Sequence, residues 1–597
     1  MKTKSTIIWL VLALALFAFI CFWQNHWRPA APVALRLLPG LRAAEVTSVE
    51  VTPAGALAFR ASRTNGVWQL EKPFRYPAQT AAIETLLTTL EKVTPALRIT
   101  AAEVGAHKNS DTDFGFDNPQ FRLDLTAGEQ SWHLLIGNKT APGDQVFVRV
   151  VGTEGVFVAD VNWLQFLPAT VTAWRDTSLV DATAAYDWIV ITNGAKVIEL
   201  HRDPASRLWR MTWPLTPARA DSDRINRALQ QLRSASVLRF VTDDAKADLA
   251  TFGLQPADLD LRLGNGTNLT AGIHVGKATA EIPTQVYARR DGWNSVVTVT
   301  NDVFTPWRAG VNAFRDAHLL SLTAPVAEIE VTGTNHFTLQ LESSGEWQVV
   351  GEKFSVDAEM VRDYIRTLAG FQVAEFRKDI TTGTDLQNFG LTTPPQTEQI
   401  TLRSAVGGTN AVIVQLLFGT METNKIYVKR ADENYVYALA NSDFTQLKTH
   451  GWQFRDRQVW NFSETNIVQI TSRQNGKTRT VLRNGVNSWV PAPGSQGIVD
   501  PFALEETAHR LSDLTALGWV ERNYSKPEEL GFNPKNLSLT VELKSGEKLA
   551  MDFGMELPSA NTGVAAVTLD GERWAFVFPP AAFFYVSKYL TIPADAP

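Results

Sequence analysis

The stretch FGFDNP, residues 114–119, carries no chemistry beyond one carboxylate, yet close variants return as FGLQP at 252–256, FGLTTP at 389–394 and LGFNP at 530–534. Aligned on Gly115, Gly253, Gly390 and Gly531, the copies stand 138, 137 and 141 residues apart. A glycine followed by an apolar residue and soon by proline is a helix stop. The glycine takes the left-handed conformation, the apolar side chain packs back on the last turn, and proline prevents continuation. Six residues before the glycines stand Asn109, Thr384 and Ser525, all good helix caps, with Gln387 and Glu528 placed as capping-box partners; Ala247 is the exception. The phrase predicts a short helix stopped before a strand, four times over.

Other landmarks keep the same step. A strand containing Trp68, Trp209, Trp347 or Trp489 precedes each glycine by 47, 44, 43 or 42 residues. An amphipathic helix follows each Trp: Ile83, Leu87 and Leu90; Ile225, Leu229 and Leu232; Val361, Ile365 and Leu368; and, less regularly, Leu504, Leu511 and Leu514. Alternating strands then lead to a second glycine, Gly137, Gly276, Gly419 or Gly554. Three of the repeats close on Arg-Asp: Arg175 and Asp176, Arg315 and Asp316, Arg455 and Asp456. The chain therefore reads as residues 1–30 followed by four modules at 44–180, 186–320, 325–460 and 466–594, the last one divergent and terminal. Strand runs between short helices predict an α+β fold with mainly antiparallel sheets. Linkers of about five residues favour an elongated array, on the order of 140 Å for four modules of this size.

The first 30 residues differ in kind. Lys2 and Lys4 precede an unbroken apolar run over residues 7–23, which closes on the bulky Phe22 and Trp23 and is followed by a polar, basic stretch instead of a small-residue cleavage site. This pattern predicts an uncleaved, single-pass transmembrane anchor with a cytoplasmic N-terminus and the bulk of the chain on the periplasmic side of a bacterial inner membrane. Cys21 is the only cysteine, so no intramolecular disulfide forms. A net charge of −6 over 597 residues leaves no electrostatic footprint for nucleic acid.

No catalytic, cofactor-binding or metal-binding residue is assigned, and the chain is expected not to be an enzyme. Nine histidines are scattered without a zinc motif. The acidic groups DSD at 221–223 and TDD at 242–244 fall at helix starts, where capping explains them. Two recurring features remain. On the strand after the second glycine, Phe147 and Arg149, Tyr287 and Arg289, and Tyr427 and Lys429 stand at i and i+2 and share a face; the fourth module has Ala565 and Ala566 there. That face is either a platform for an anionic glycan or lipid headgroup, or a core ring with a cation at its rim. The Arg-Asp pairs sit at every internal module junction and are missing from the end of module four, a distribution that suits locking between modules.

With an N-terminal anchor and modules built on a Trp strand, a helix, the FGLxxP phrase, a glycine-ended strand and Arg-Asp, the chain resembles the bacterial domain of unknown function 4340 family over nearly all of its length past residue 44. The resemblance implies no activity. It implies an envelope accessory role beside ABC-type transport systems of the gliding-motility kind, within a membrane-protein complex. The expected function is thus a membrane-anchored, periplasm-facing scaffold or accessory protein. A glycan- or lipid-binding protein is the alternative, and a hydrolase with an inter-module site a third reading.

Overall fold

Alternation along a strand sends successive side chains to opposite faces, so a strand buried at every position needs cover on both. The last strand of the first sheet, Val156–Asp160, is of this kind, with Val156 through Ala159 all buried. Phe157 joins a main core with Ile83, Leu87 and Leu90 of the helix Thr80–Lys92. Val156 joins a second, small core with Phe114 and Phe116 of the repeated phrase. Each face of the sheet therefore has its own helix.

The structure, a computed structural model, describes residues 3–26, 35–215, 217–322, 324–392, 398–405 and 411–592. It divides into two compact units, Met1–Arg315 and Asp316–Pro597. The first contains two nine-stranded sheets and the second two eight-stranded ones, with a further two-stranded pairing. Counted from the start of each sheet, both nine-stranded orders are 4-3-2-1-6-7-8-9-5, and both eight-stranded orders are the same with the short fourth strand missing. All pairings shown between neighbouring strands are antiparallel, for example Val49 opposite Ala61 and Leu125. The helix Thr80–Lys92 follows the strand at one edge and precedes the strand at the other, so it crosses the whole sheet.

The Trp strand is pinned to that helix. Trp68 is fully buried and its indole N–H donates to Glu84 Oε1 at 2.7 Å, while Arg63, its cross-strand partner, donates to the same oxygen at 2.8 Å. Trp489, Glu505 and Arg483 repeat the arrangement at 2.8 and 2.7 Å, and Trp209 donates to Asn226 at 3.1 Å. In the third sheet Leu341 faces Trp347 and Arg362 follows Val361 on the helix, so neither polar partner is present, and Trp347 is half-buried instead of core.

The repeated phrase is a Schellman stop in all four places. The cap glycines have φ of 78°, 68°, 67° and 79°. Behind them the N–H of Phe116, Leu254, Leu391 and Phe532 donates to the carbonyl five residues back at 2.7–2.9 Å. Thr393 and Pro394 of the third copy lie outside the described residues. The helix starts differ from expectation. Asp248 and Thr382 are the caps that accept backbone N–H bonds, Thr382 with Asp385 as its capping-box partner, whereas Thr384 and Gln387 fall inside that helix. Asn109 caps without a side-chain bond, and Lys526 stands at the start where Ser525 was expected, with Glu528 in the first turn. Six residues was too rigid a spacing because the stop helix varies from four to six residues. Leu514 likewise belongs to the strand Asp513–Thr515 and not to the helix before it.

The second glycines explain why the phrase contains glycine at all. Each sits in a β-bulge: Gly137 and Asn138 together oppose Phe147, Gly276 and Lys277 oppose Tyr287, Gly419 and Thr420 oppose Tyr427, and Gly554 and Met555 oppose Val564. A Cβ on Gly137, Gly276, Gly419 or Gly554 would fall far inside contact distance of the carbonyl oxygen of Phe114, Phe252, Phe389 or Leu530. A Cβ on the cap glycine would in turn meet the residue after the second glycine, Asn138 at 2.5 Å and Lys277 N at 2.8 Å in the first two sheets. Stop helix and bulged strand clasp one another through two backbones without side chains.

Residues Thr3–His26 form one helix whose side chains are exposed from Trp9 to Phe22. Among the described residues no helix is long and apolar enough to cross a membrane. The described side chains cover about 20 Å of helix, against roughly 30 Å of bilayer core. The anchor expected over residues 7–23 is therefore not shown; the side chains of its ends, and residues 27–34, lie outside the described residues.

Replacing Gly276 with Ala forces the clasp apart and should lower stability by about 1–3 kcal/mol. Gly105→Ala, in a helix with nothing within 4 Å of the added Cβ, should leave it unchanged or slightly raised. Equilibrium urea unfolding of the two variants checks the pair.

Candidate functional site

On the strand after the second glycine the expected rings pack against the stop phrase. Phe147, the lone residue opposite its bulge, packs at 4.9 Å on Phe114 of the stop phrase; Tyr287 packs at 5.0 Å on Phe252 and Tyr427 at 4.7 Å on Phe389. Tyr427 is 4 % exposed and the other two rings are half-buried. The cations are engaged as well. Arg149 lies over Phe116 and pairs with Asp111, holding that carboxyl below the usual carboxylate range through its hydrogen bond. Arg289 Nε donates to the Trp293 carbonyl at 2.7 Å, and Lys429 Nζ donates to the carbonyls of Arg430 and Glu433, with burial pushing its ammonium pKa down. In module four the position equivalent to the ring is Val564, and not Ala565 or Ala566 as aligned from sequence; it packs beside Leu530. Where Phe meets an aromatic ring in three modules, the fourth sets a smaller Leu against a smaller Val.

Two of the Arg-Asp pairs lead to networks of buried and half-buried polar groups. Arg175 is 2 % exposed, and its guanidinium lies 4.4 Å from the ring of Phe74, 4.5 Å from Tyr76 and 3.4 Å from Phe240. Nη1 and Nη2 donate to the two carboxylate oxygens of Asp243 at 3.1 and 2.5 Å, and Nη2 also to Ser295 Oγ at 2.8 Å. Phe74 and Tyr76 belong to the first sheet's segment, and Phe240, Asp243 and Ser295 to the second's. Asp243 was expected to be a helix cap; it is instead the counter-ion across this joint, while its neighbour Asp244 takes the local N–H bond from Lys246. Asp176 accepts from the Ser178 N–H at 2.9 Å and from Arg290 Nη1 at 3.2 Å, and Arg290 also donates to the Ser178 carbonyl. Burial of Tyr76 among these groups raises its pKa.

The joint between the third and fourth sheets uses the same plan with different charges. Arg455 lies 5.5 Å from Phe354, 5.7 Å from Trp519 and 4.5 Å from Trp574, and donates to Asp570 at 2.8 Å. The Trp519 indole N–H donates to the Arg455 carbonyl at 3.0 Å. Near the place of Asp243 stands Arg522, whose fork holds Glu572 at 2.7 and 2.8 Å and Glu352 at 2.6 and 3.0 Å. These hydrogen bonds raise the Arg522 pKa and hold Glu572 below its ordinary value. Asp456 accepts from the Gln458 N–H at 3.0 Å. Arg315 is 3 % exposed, and its Nη1 reaches Asn312 Oδ1 at 3.4 Å; Asp316 accepts from the His318 N–H at 2.9 Å.

Phe74, Phe240, Ser295, Phe354, Arg522, Trp519 and Trp574 were not singled out from sequence, and Asp243 was read only as a helix cap. One signal was available: Phe74 and Phe354 each stand 101 residues before the arginine they cover. Among the described residues no group of three or more His, Cys, Asp or Glu is placed to hold an ion. The nearest approach is His274, whose two ring nitrogens face Asp260 at 2.5 Å and Asp291 at 3.3 Å from opposite sides.

The chain belongs to the family described as Domain of unknown function (DUF4340), whose model matches residues 68–207, 209–384 and 347–537. The three matches open on Trp68, Trp209 and Trp347, the equivalent positions of the Trp strand, so the chain is a tandem array of that domain. No curated protein matches it.

Removing the Arg175 side chain leaves Asp243 without its buried counter-ion, so Arg175→Ala should cost about 3–5 kcal/mol in the unfolding of residues 48–300, followed by hydrogen exchange. Acid should weaken the second joint. The folded Glu572 pKa lies below its ordinary 4.5, so its contribution is present above that pH and is lost as pH falls through the folded value. Glu572→Gln should be less stable than wild type at pH 7 and should lose less on acidification, measured by urea midpoints between pH 7 and 3.

Proposed function

We propose that this member of the family is a non-enzymatic, membrane-anchored envelope scaffold, facing the periplasm and accessory to an ABC-type transport complex of the gliding-motility kind. The observation that carries the scaffold reading is where the recurring charged chemistry is spent: Arg175 and Arg455 are each caged by rings from two successive modules. Such cages fix the angle between neighbours, because a buried planar guanidinium is satisfied in one geometry only. A chain that must hold sites apart needs stiff joints more than it needs an open pocket. The apolar run at 7–23 supplies the anchor in this reading, and the association with transport components follows from the resemblance to family members of that kind. The aromatic strand faces lend nothing to a glycan-binding alternative, since their rings pack under the stop helices.

Crosslinking in native bacterial membranes, followed by identification of the captured proteins, tests the reading. Subunits of an ABC-type transporter are expected; their absence, together with retention of the protein on envelope polysaccharide, contradicts it. Intact mass of the membrane-extracted protein tests the anchor: the expected mass retains residues 1–30, and loss of the first 25–35 residues excludes an uncleaved helix.

A further inference from the structure

Module four repeats the polar frame of module one and differs in what stands over it. In both, an indole N–H and a cross-strand arginine meet on one glutamate, Glu84 or Glu505, which lies 16 residues after its Trp. The helices carrying those glutamates, Thr80–Lys92 and Pro501–Ser512, therefore align position by position. Phe502, Glu506 and His509 stand where module one has Ala81, Thr85 and Thr88. In modules two and three the place of Phe502, two residues before Ile225 and Val361, is taken by Asp223 and Glu359. That place is exposed in every module, so no core asks for a ring there. Only module four has one.

Phe502, Glu506 and His509 follow at i, i+4 and i+7, one face of the helix. With Glu464, Asn487 and Asp500 they line a cavity of about 640 Å³. Glu464 Oε2 faces His509 Nδ1 at 2.5 Å, which ties the helix to the short turn Glu464–Asn466. Four lining side chains are carboxylates, those of Glu464, Asp500, Glu505 and Glu506, and none is Lys or Arg. From outside the lining Arg483 pairs with Glu505 and Arg510 with Glu506, which leaves two carboxylates in excess of the guanidiniums. Apolar side chains gather at the same place. Of the four large ones among the described residues that are more than three-quarters exposed, Phe502, at 78 %, lines the cavity, Val486 directly precedes the lining residue Asn487, and Ile498 stands two residues before Asp500; the fourth, Leu57, lies in module one. Exposed apolar surface rimmed by charge marks a docking site, and the sign of the rim selects the charge of the partner. A second copy docking by the same face would set carboxylates against carboxylates, and an anionic lipid surface would meet the same repulsion.

We propose that the Phe502, Glu506 and His509 face of module four docks a basic segment of a partner protein, in which a lysine or arginine meets the carboxylates and a neighbouring apolar side chain covers Phe502. This docking is independent of the anchor and of the transport complex. A random nonapeptide library displayed on phage, panned against the detergent-solubilised full-length chain, yields the probe; the consensus peptide is synthesised with a fluorophore and its affinity measured by anisotropy. The consensus should pair Lys or Arg with an aliphatic or aromatic residue. Phe502→Ser should weaken its binding about tenfold, and Phe502→Lys, which also changes the local charge, should weaken it further. Both substitutions fall at an exposed position, so neither disturbs the core. Leu57→Ser, which removes an equally exposed apolar side chain in module one, should change nothing. Failure of the library to enrich any basic sequence overturns the proposal. So does a basic peptide whose affinity is untouched by Phe502→Ser and Phe502→Lys, because it binds elsewhere, and so does equal binding by a peptide of lysine and serine alone, because charge then acts without the apolar face.

Discussion

Where two polypeptide backbones meet on the sides from which their Cβ atoms would project, neither can carry a side chain, and that constraint underlies the repeated clasp of this chain. The left-handed cap glycine ends a short helix at the one point where the helix's last carbonyl meets the glycine of a bulged strand. The bulge sets two residues against one of the next strand, and that residue's side chain fills the space beneath the stop helix: Phe147, Tyr287, Tyr427 or Val564. A second core on the far face of the sheet follows, and with it strands buried on both sides. Bulges add local twist to the sheet.

What varies between the modules is charge, within a constant frame. At the first joint the caged arginine meets an aspartate directly; at the other, an arginine near that aspartate's position gathers two glutamates while the caged arginine takes Asp570. The aromatic cage is common to both. A guanidinium is weakly hydrated and planar, so it stacks between rings at little desolvation cost and still donates in its plane. Lysine, a compact and strongly hydrated charge, meets neither requirement. The recurring residue is therefore arginine at each junction.

The repeat, the antiparallel sheets and the helix stop were legible because each rests on a local rule: φ at glycine, period two in strands, period 3.6 in Ile83, Leu87 and Leu90. Helix starts were legible only to within a residue or two, since Asp248 and Thr382 cap equally well from shifted positions. The aromatic-cation strands left two readings open because i and i+2 spacing states which residues share a face but not what covers that face. Asp243 misled for the converse reason: a carboxylate near a helix start satisfies a local rule, while its actual partner is Arg175, 68 residues away. Long-range pairings leave no periodicity, so Phe240, Ser295 and Arg522 carried no signal until the sheets were set side by side.

The central claim is that the repeated frame delivers Arg175 and Arg455 into shared aromatic cages and so couples neighbouring modules energetically. A double-mutant cycle between Arg175 and Phe240 in the full-length chain measures that coupling directly, using Arg175→Ala, Phe240→Leu and the double variant in equilibrium unfolding. Residues in such contact are expected to couple by about 1–3 kcal/mol, the second substitution costing much less once the first is made. Effects that add within about 0.5 kcal/mol would contradict the account, because the arginine and the neighbouring module's ring would then be acting independently.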